Sequence, residues 1–282
     1  MVSRRRFLAA AGVAPLAAGY QPVPRKFKTQ FAVNVETWWR DLSFLERLDH
    51  AAAAGFPAIE FWPWRGKDIE AIAAKTRELG LVVTQFTAWG FEPGMNDPGN
   101  HDAVVSEIEA SCGAAKTLGA RWMTVVAGDD QPGMSQDEMH ENVIIALKRV
   151  APIAERHDVT LILEPMNIRV DHQGHCLYGS APAIRIVEAV GSSHVKINWD
   201  LYHLQITEGD LCGHLAEGIE HIGYVQLADH PGRNEPGTGE VHYNRVLKEL
   251  DRLGYRGYVG LELNPLQGEE AAADAVASAD VW

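Results

Sequence analysis

The sequence predicts an α/β protein built as a single (β/α)8 TIM barrel, and three observations support this. Short apolar segments alternate with amphipathic helical segments along the chain, which is the pattern of repeated βα units. There are eight such apolar segments, the number of parallel strands that closes a barrel, and 282 residues suit one barrel domain of about 250 residues. Several segments end in a polar residue, at the strand end where these barrels place their chemistry.

The predicted strands are short runs bounded by turn residues or by helical segments. They span residues 31–35, 58–62, 81–87, 122–126, 160–164, 195–200, 222–227 and 258–263. A doubly wound open sheet would alternate in the same way, but it normally carries a glycine-rich phosphate turn after its first strand. Here the first strand runs into Glu36, Thr37 and Trp38 without a glycine, and this favours the closed barrel.

The helical segments support the same repeat. They span residues 43–54, 68–79, 101–118 and 246–253, and a glycine follows each of them. Glycine just past the last periodic residue is the usual left-handed stop of a helix. The order helix, glycine, short apolar run therefore occurs four times, and we predict one barrel domain over residues 29–282.

The composition is that of an ordinary globular protein, with 46% hydrophobic and 22% charged residues. The net charge of -13 disfavours a nucleic-acid partner, because phosphate contacts need a basic surface. Cys112, Cys176 and Cys212 have the spacing of neither a zinc site nor a disulfide framework, and we expect them to be buried as small hydrophobic residues. After residue 28 no segment is long and apolar enough for membrane insertion.

The first 28 residues are predicted to be a signal peptide and linker. Residues 3–8, SRRRFL, precede an alanine-rich apolar stretch that ends in small residues suited to cleavage. This order resembles a bacterial twin-arginine signal, whereas the alternative is a short basic tail. The signal predicts a periplasmic or exported protein that folds, with any cofactor, before export.

Four strands in the second half of the chain end in polar residues with oxygen atoms. These are Glu164, Asp200, Gln226 and Glu262. A single strand-end glutamate is often only a solvated loop residue, but four such residues on successive strands would converge on one point. Because every donor is an oxygen, Mg²⁺ or Mn²⁺ is favoured over zinc or copper. The sequence therefore predicts a divalent-metal site with positions left for substrate oxygens.

Two residues beside these strand ends are candidate substrate contacts. His203 follows Asp200 by three residues and can reach the same pocket from the loop. Arg233 lies in the glycine- and proline-rich loop 229–240, where it either clamps a substrate carboxylate or hydroxyl or is tied to Glu235. His172 and His175 follow the Glu164 strand, and either enter the site or support it from behind.

The first half of the barrel is rich in aromatic residues near the strand ends. These are Trp38, Trp39, Phe61, Trp62, Trp64, Phe86, Trp89 and Phe91. Some belong to the core, and those on the loop side would wall a pocket for a polyol or oxo-acid. Glu60, inside the second strand, either lines that pocket or faces a helix.

Together these segments resemble the sugar isomerase/epimerase barrels related to xylose isomerase, and most of all the hydroxypyruvate isomerases. The segments are 31–34 (FAVN), 53–61 (AAGFPAIEF), 163–167 (LEPMN), 200–203 (DLYH), 226–229 (QLAD), 231–240 (PGRNEPGTGE) and 260–262 (GLE). They cover essentially everything after the signal. Gln226 is informative, because the related epimerases usually carry histidine at that strand end.

The resemblance implies a xylose isomerase-like TIM barrel and a role for each site residue. Glu164, Asp200, Gln226 and Glu262 would bind Mg²⁺ or Mn²⁺, and Glu164 and Glu262 would also form the catalytic acid/base pair. Substrate contacts would come from His203, Arg233, Asn167, Trp62 and Trp89. The implied reaction interconverts hydroxypyruvate and tartronate semialdehyde, or a related sugar acid, through an enediolate. The sequence does not give the oligomeric state, and barrels of this family commonly form a homo-oligomer, either a dimer or a tetramer.

Two features leave other substrates open. Residues 167–175, NIRVDHQGH, lack the Pro-Gly-aromatic turn of hydroxypyruvate isomerases, and an exported enzyme would meet sugars rather than hydroxypyruvate. The alternatives are a ketose 3-epimerase, a keto-glycoside epimerase or lyase, and a non-catalytic periplasmic sugar-binding protein. A multi-zinc endonuclease on the same barrel is disfavoured by the acidic charge and the oxygen-only ligand set.

Overall fold

A computed structural model describes residues 25–282, which form a closed barrel of parallel strands arranged in chain order. The strands are β1 (Gln30–Asn34), β2 (Ala58–Phe61), β3 (Val82–Trp89), β4 (Trp122–Val126), β5 (Thr160–Glu164), β6 (Val195–Asp200), β7 (Ile222–Leu227) and β8 (Tyr258–Leu261). Pairing of β1 with β8 closes the barrel. The predicted (β/α)8 fold is confirmed, and the predicted twin-arginine signal lies almost entirely outside the described residues.

Helices cover the outside of the barrel. They are α1 (Phe44–Ala53), α2 (Ile69–Leu79), α3 (His101–Leu118), α4 (Gln136–His157), α5 (Ser180–Val190), α6 (Leu201–Thr207), α7 (Leu211–Gly218), α8 (Tyr243–Arg252) and α9 (Glu269–Ala279). The predicted glycine stops are present: Gly80 and Gly119 cap α2 and α3 in the left-handed conformation, with φ of 69° and 73°. Within residues 25–282, no helix is both long and apolar enough to cross a membrane.

The strand ends carry the residues that the sequence singled out. Glu164 and Asp200 are the last residues of β5 and β6, and Gln226 is the penultimate residue of β7. The last strand is shorter than predicted, because its ladder with β1 stops at Leu261, paired with Val33. Glu262 therefore lies one residue beyond β8, at the start of the following loop.

Part of the aromatic cluster belongs to the core rather than to a pocket. Trp38, Phe61 and Phe86 are fully buried, and the Trp38 indole donates to the Leu261 carbonyl at 3.2 Å. Cys112 and Cys176 are also buried, as predicted. Cys212 is only partly buried, because it lies on α7 at the outside of the barrel.

Candidate active site

Three carboxylates meet at the carboxyl end of the barrel. Glu164, Asp200 and Glu262 are exposed by only 6%, 1% and 6%. Glu164, Asp200 and His203 each bring one possible ligand atom to within 4.8 Å of the others. The barrel thus brings the predicted carboxylates together, while their role as metal ligands stays a prediction.

The buried carboxylates of this cluster would be stabilised by a nearby positive charge. Burial raises the pKa of Glu164 well above its ordinary value, and the nearby Glu262 and Asp200 carboxylates raise it further. Burial likewise raises the pKa of Asp200. Asp200 Oδ2 is buried without a hydrogen-bond partner in the described part of the chain. Buried carboxylates without compensation are costly, so the donor set and the unpartnered oxygen fit a hard divalent cation.

Gln226 links two of the acidic groups in this structure. Its Nε2 donates to Glu262 Oε2 at 2.6 Å and to Glu60 Oε1 at 2.8 Å, while its Oε1 accepts from Asn198 Nδ2 at 2.6 Å. To ligate a metal through Oε1, the amide would have to rotate. If the Asn198 side chain rotates at the same time, its Oδ1 can accept from the rotated Gln226 amide. Asn198 Oδ1 is buried and has no hydrogen-bond partner among residues 25–282. Gln226 therefore fits a metal only after this rearrangement.

Glu60 was left open by the sequence, and the structure places it beneath the site. It is fully buried and accepts hydrogen bonds from Asn34 Nδ2 at 3.1 Å, Gln85 Nε2 at 3.2 Å and Gln226 Nε2 at 2.8 Å. Burial raises the pKa of Glu60 to about 7, and Glu262 adds to the shift. The signal for this position was an acidic residue within an otherwise apolar strand, since an unpaired carboxylate is rarely fully buried.

Arg233 is the cation that the site already contains. Its Nη2 lies 2.9 Å from Glu262 Oε1 and 3.7 Å from Asp200 Oδ2, and its guanidinium lies 5.1 Å from the centre of the Tyr202 ring. Burial lowers the pKa of Arg233, but the carboxylates of Glu262 and Asp200 outweigh this and raise it. Glu235 instead accepts from the Leu266 backbone N–H at 2.9 Å, so it anchors the loop. Of the two alternatives for Arg233, the structure favours the one that faces the pocket.

The loop that carries Arg233 is held by an aspartate that the sequence did not single out. Asp229 is fully buried and accepts from the backbone N–H groups of Gly237, Gly239 and Val241 at 2.8, 2.9 and 3.0 Å. These charge-assisted bonds hold the loop in a single shape. The signal was present in the sequence, since Asp229 opens a stretch rich in glycine and proline.

His203 lies among the carboxylates as a neutral side chain. It is 1% exposed, and its Nε2 is 3.5 Å from Asp200 Oδ2 and 3.8 Å from Glu164 Oε1. Burial lowers the pKa of His203 well below its ordinary value, and the positive charge of Arg233 lowers it further. His203 therefore faces the pocket as an uncharged imidazole.

A cavity of about 430 Å³ opens above these groups. Its ionic wall includes Glu164, Glu262 and Arg233, and its aromatic wall includes the rings of Trp62 and Phe91. Met166, Val126 and Pro63 extend the apolar side, and Gln85, Thr87 and Thr124 add polar groups. A pocket with one apolar wall and a few convergent polar groups is typical of a small-molecule site.

The remaining predicted site residues divide between the cavity and its support. Trp62 lines the cavity, but Trp89 is turned into the core at 7% exposure, and Asn167 is fully buried behind His203. His172 lines the cavity and stacks on Phe91 with ring centres 4.8 Å apart. His175 is buried behind the same ring and does not reach the cavity. Trp89, the last residue of β3, and Asn167, in the loop after β5, are therefore not among the residues that line the cavity, and their contact with substrate stays a prediction.

Comparisons with known proteins agree with this architecture. The family profile described as "Xylose isomerase-like TIM barrel" matches residues 48–281. The chain is 29% identical to hydroxypyruvate isomerase of Escherichia coli, over 86% of this chain and 96% of that protein. It is 32% identical to 2-oxo-tetronate isomerase of Cupriavidus necator, over 86% of this chain and 95% of that protein.

A solved structure extends the likeness to three dimensions. The crystal structure described as AP endonuclease, family 2, from Brucella melitensis superposes with a TM-score of 0.82 at 28% identity, covering 86% of this chain and 96% of that one. The resemblance inferred from the sequence motifs is therefore confirmed at the level of fold and relatives.

Proposed function

The chain belongs to the xylose isomerase-like TIM barrel family, and from that premise we propose that it is a divalent-metal-dependent isomerase of a small hydroxy-carbonyl compound. Its relatives named hydroxypyruvate isomerase and 2-oxo-tetronate isomerase support the reaction class, and make 2-oxo-3-hydroxy acids the first substrates to test. The observation that carries the proposal is the group of three buried carboxylates, one of which has an unpartnered oxygen.

Mg²⁺ or Mn²⁺ suits this group better than zinc, because the strand-end donors are all oxygens. Glu164, Asp200 and Glu262 would hold the ion, with Gln226 joining them if its amide rotates. When bound, the ion polarises the substrate carbonyl and stabilises the negative charge of an enediolate.

The two glutamates are held differently, and this suggests different roles. Glu262 accepts hydrogen bonds from Trp62 Nε1 at 3.1 Å, Gln226 Nε2 at 2.6 Å and Arg233 Nη2 at 2.9 Å. Three donors fix its position. Glu164 is less constrained, with His203 Nε2 still 3.8 Å away. We therefore assign to Glu164 the removal of the proton from the hydroxyl-bearing carbon.

The rest of the reaction follows from the same groups. Loss of the proton from the hydroxymethyl carbon of hydroxypyruvate leaves its electron pair in the enediolate. Return of a proton to the former carbonyl carbon, together with transfer of the hydroxyl proton to the neighbouring oxygen, gives tartronate semialdehyde. If Glu164 carries out both transfers, the proton moves along one face. On a chiral substrate such as a ketose, return of a proton by Glu262 to the carbon that lost it, from the opposite face, would instead give epimerisation. Arg233 and His203 supply N–H donors for substrate oxygens.

A second candidate is an epimerase of keto-sugars, for which the cavity has room. At about 430 Å³ it falls within the range of about 300–1,000 Å³ that is typical of small-molecule pockets. The aromatic wall formed by Trp62 and Phe91 would pack against the apolar face of a sugar ring. A multi-zinc nuclease is less well supported, because the metal-capable group within residues 25–282 has two carboxylates and one histidine.

Proton exchange in D₂O tests both candidates at once. The metal-loaded protein is incubated with hydroxypyruvate, 2-oxo-tetronate, free ketoses and 3-keto-glucosides, and NMR follows deuterium entering carbon-bound positions. Conversion of a 2-oxo acid supports the isomerase, and exchange confined to ketoses supports the epimerase. Failure of every substrate to exchange at full metal occupancy would overturn both.

Variants connect any activity to the carboxylates. Glu164→Gln is expected to lower turnover by about 10²- to 10⁴-fold, which is the usual contribution of a general base. Glu262→Gln is expected to do the same while the protein stays folded. Glu107→Gln is the control, because Glu107 pairs with Arg65 on the outer surface at 2.8 Å. Full activity in both site variants would remove the proposed mechanism.

A further inference from the structure

We propose that Asn167 sets the tautomer of His203, so that His203 presents an Nε2–H donor to a substrate oxygen and is not a metal ligand. In this arrangement Asn167 is a positioning residue that acts through His203. The role of His203 in binding substrate rests on the proposed function, whereas the tautomer itself does not.

The orientation of the Asn167 amide follows from its backbone partners. Its Oδ1 accepts from the backbone N–H groups of Val170 at 3.0 Å and Asp171 at 3.1 Å. A backbone N–H can only donate, so the amide oxygen must face these two groups. The opposite orientation would place the N–H₂ group of the buried Asn167 amide against two donors, and both hydrogen bonds would be lost.

With the oxygen fixed, the amide nitrogen faces His203. Asn167 Nδ2 lies 2.7 Å from His203 Nδ1 and 2.7 Å from Asp171 Oδ2. The amide nitrogen has no acceptor capacity, so His203 Nδ1 must accept the hydrogen bond. A neutral imidazole that accepts at Nδ1 carries its proton on Nε2. Because Asn167 and His203 are exposed by 0% and 1%, this hydrogen bond is shielded from solvent.

The Nε2–H group then points into the site without a partner of its own. Within the described chain, His203 Nε2 is buried and has no hydrogen-bond partner, and it lies 3.5 Å from Asp200 Oδ2 and 3.8 Å from Glu164 Oε1. Both distances exceed the usual N–H···O range of about 2.7–3.2 Å. His203 also lines the cavity. An unpartnered buried donor in this place suits a carbonyl, hydroxyl or enediolate oxygen of the substrate.

The same tautomer affects which metal the site prefers. His203 is close enough to Glu164 and Asp200 to belong to a metal-binding group by distance alone. A protonated Nε2 has no free lone pair, however, and so cannot coordinate an ion. The donor set then remains oxygen-only, which disfavours zinc.

Direct observation of the tautomer is the first test, and it requires no variant. The Mg²⁺-loaded protein is labelled with ¹⁵N-histidine, and long-range ¹H–¹⁵N spectra show which ring nitrogen carries the proton. His203→Gln identifies the His203 signals by their loss. A proton on Nε2 supports the proposal, and a proton on Nδ1 overturns it whether or not any substrate is turned over.

A paired substitution tests the role in turnover. Asn167→Asp combined with Asp171→Asn keeps an acceptor for the two backbone N–H groups and keeps the side-chain link between positions 167 and 171. It replaces the donor facing His203 Nδ1 by an acceptor, so the ring proton is expected to move to Nδ1. We expect kcat on any substrate identified in the exchange experiment to fall by roughly 10- to 100-fold, because a hydrogen bond to a charged intermediate is lost.

The matched control is Asp171→Asn alone, which leaves the Asn167–His203 hydrogen bond in place. It is expected to keep the Nε2–H tautomer and most of the activity. The paired variant is also expected to gain affinity for Zn²⁺, measured by competition with a chromophoric chelator, since Nε2 now offers a lone pair. An unchanged kcat in a paired variant whose ring proton has moved to Nδ1 would overturn the donor role of His203. An equal loss of activity in the paired variant and in Asp171→Asn would show that Asn167 only stabilises its loop.

Discussion

The indole of Trp62 donates to Glu262 Oε1 at 3.1 Å, which connects the loop after β2 to the loop after β8. Trp62 is the aromatic residue of the cavity wall that directly contacts a predicted acid/base carboxylate. One side chain therefore shapes the apolar wall and also helps to fix the ionic wall. The two halves of the pocket are coupled through this contact.

Trp62→Phe is expected to separate these two functions. The ring remains in the wall, but Glu262 loses one of its three donors, so kcat/KM should fall by about 3- to 10-fold. The free energy of unfolding should change by less than about 1 kcal/mol, since Trp62 is 39% exposed. Steady-state kinetics and urea unfolding measure the two effects.

Trp64→Phe is the control for that substitution. Trp64 Nε1 donates to Ser111 Oγ at 2.8 Å, so the same type of bond is lost away from the cavity. Its loss should lower stability by about 1 kcal/mol and leave kcat/KM unchanged. Equal effects of the two substitutions on kcat/KM would contradict a specific role for the Trp62–Glu262 contact.

Gly260→Ala is expected to displace side chains that lie beneath the site. An added Cβ would lie 2.3 Å from Glu60 Oε2 and 2.8 Å from Gln226 Cγ, so one of these side chains would have to move. Overpacking of this kind typically costs about 1–3 kcal/mol. Because Gln226 links Glu60 to Glu262, the turnover of the folded protein should also fall. Chemical unfolding and kinetics are compared with those of Gly113→Ala.

Gly113 offers a contrast within helix α3. An added Cβ there meets nothing within 4 Å, and glycine in a helix interior is less stable than alanine by about 0.5–1 kcal/mol. Gly113→Ala should therefore raise the free energy of unfolding and leave turnover unchanged. Normal activity in Gly260→Ala would show that the position of Gln226 is unimportant for the reaction.

Removal of metal is expected to abolish turnover and to lower stability. Mg²⁺ or Mn²⁺ at about 100 times its dissociation constant would stabilise the folded chain by about 2.7 kcal/mol if the unfolded chain does not bind it. Elemental analysis, activity and Tm are measured after chelation and again after each ion is restored. Activity in protein shown to be free of metal would contradict the proposed cofactor.

Asp200→Asn serves as the partner variant for the metal experiment. Asp200 Oδ1 accepts from the Tyr202 backbone N–H at 2.8 Å and caps α6, and asparagine can keep this bond. The substitution instead neutralises the group that carries the unpartnered Oδ2. Its Tm should therefore respond little to Mg²⁺ or Mn²⁺, while the helix cap is retained.

The barrel and its strand-end carboxylates could be predicted because they follow from periodicity alone. A run such as Leu161-Ile162-Leu163 is buried on both faces of a parallel sheet, and the polar residue that ends it must lie at the rim. Glu164 and Asp200 therefore lie at the ends of β5 and β6, positions that do not depend on the geometry of any loop. Glu262 is displaced by one residue, because pairing with β1 stops at Leu261.

The loop residues could not be placed in the same way, since their directions depend on tertiary contacts. The Gly174 carbonyl accepts from the Asp130 N–H, and beside this contact His175 is buried while His172 lines the cavity. Asn167 turns back to bind its own loop. The surroundings of Glu60 could not be predicted either, because Asn34, Gln85 and Gln226 come together around it only when the barrel closes.

Acid should destabilise the protein through His175. This side chain is 1% exposed, and its Nδ1 lies 3.4 Å from Asp129 Oδ1. Burial lowers the pKa of His175 to about 3, with smaller contributions from His172 and His140. The unfolded chain has a histidine pKa of about 6.5, so between these values the unfolded state binds the proton and the folded state does not.

Because the unfolded state binds this proton and the folded state does not, the free energy of unfolding falls as the pH falls. Stability contributed by neutral His175 is complete above about pH 6.5 and is lost progressively as the pH falls towards 3, by up to about 1.4 kcal/mol per unit. His175→Phe retains a ring next to Phe91, to which His175 packs edge-on at 5.5 Å, but removes the titration. Urea unfolding at pH 7 and pH 5 should show the wild type losing about 2 kcal/mol more than the variant. Acid-sensitive groups common to both proteins cancel in this comparison, so parallel pH profiles would show that His175 is not kept neutral by burial.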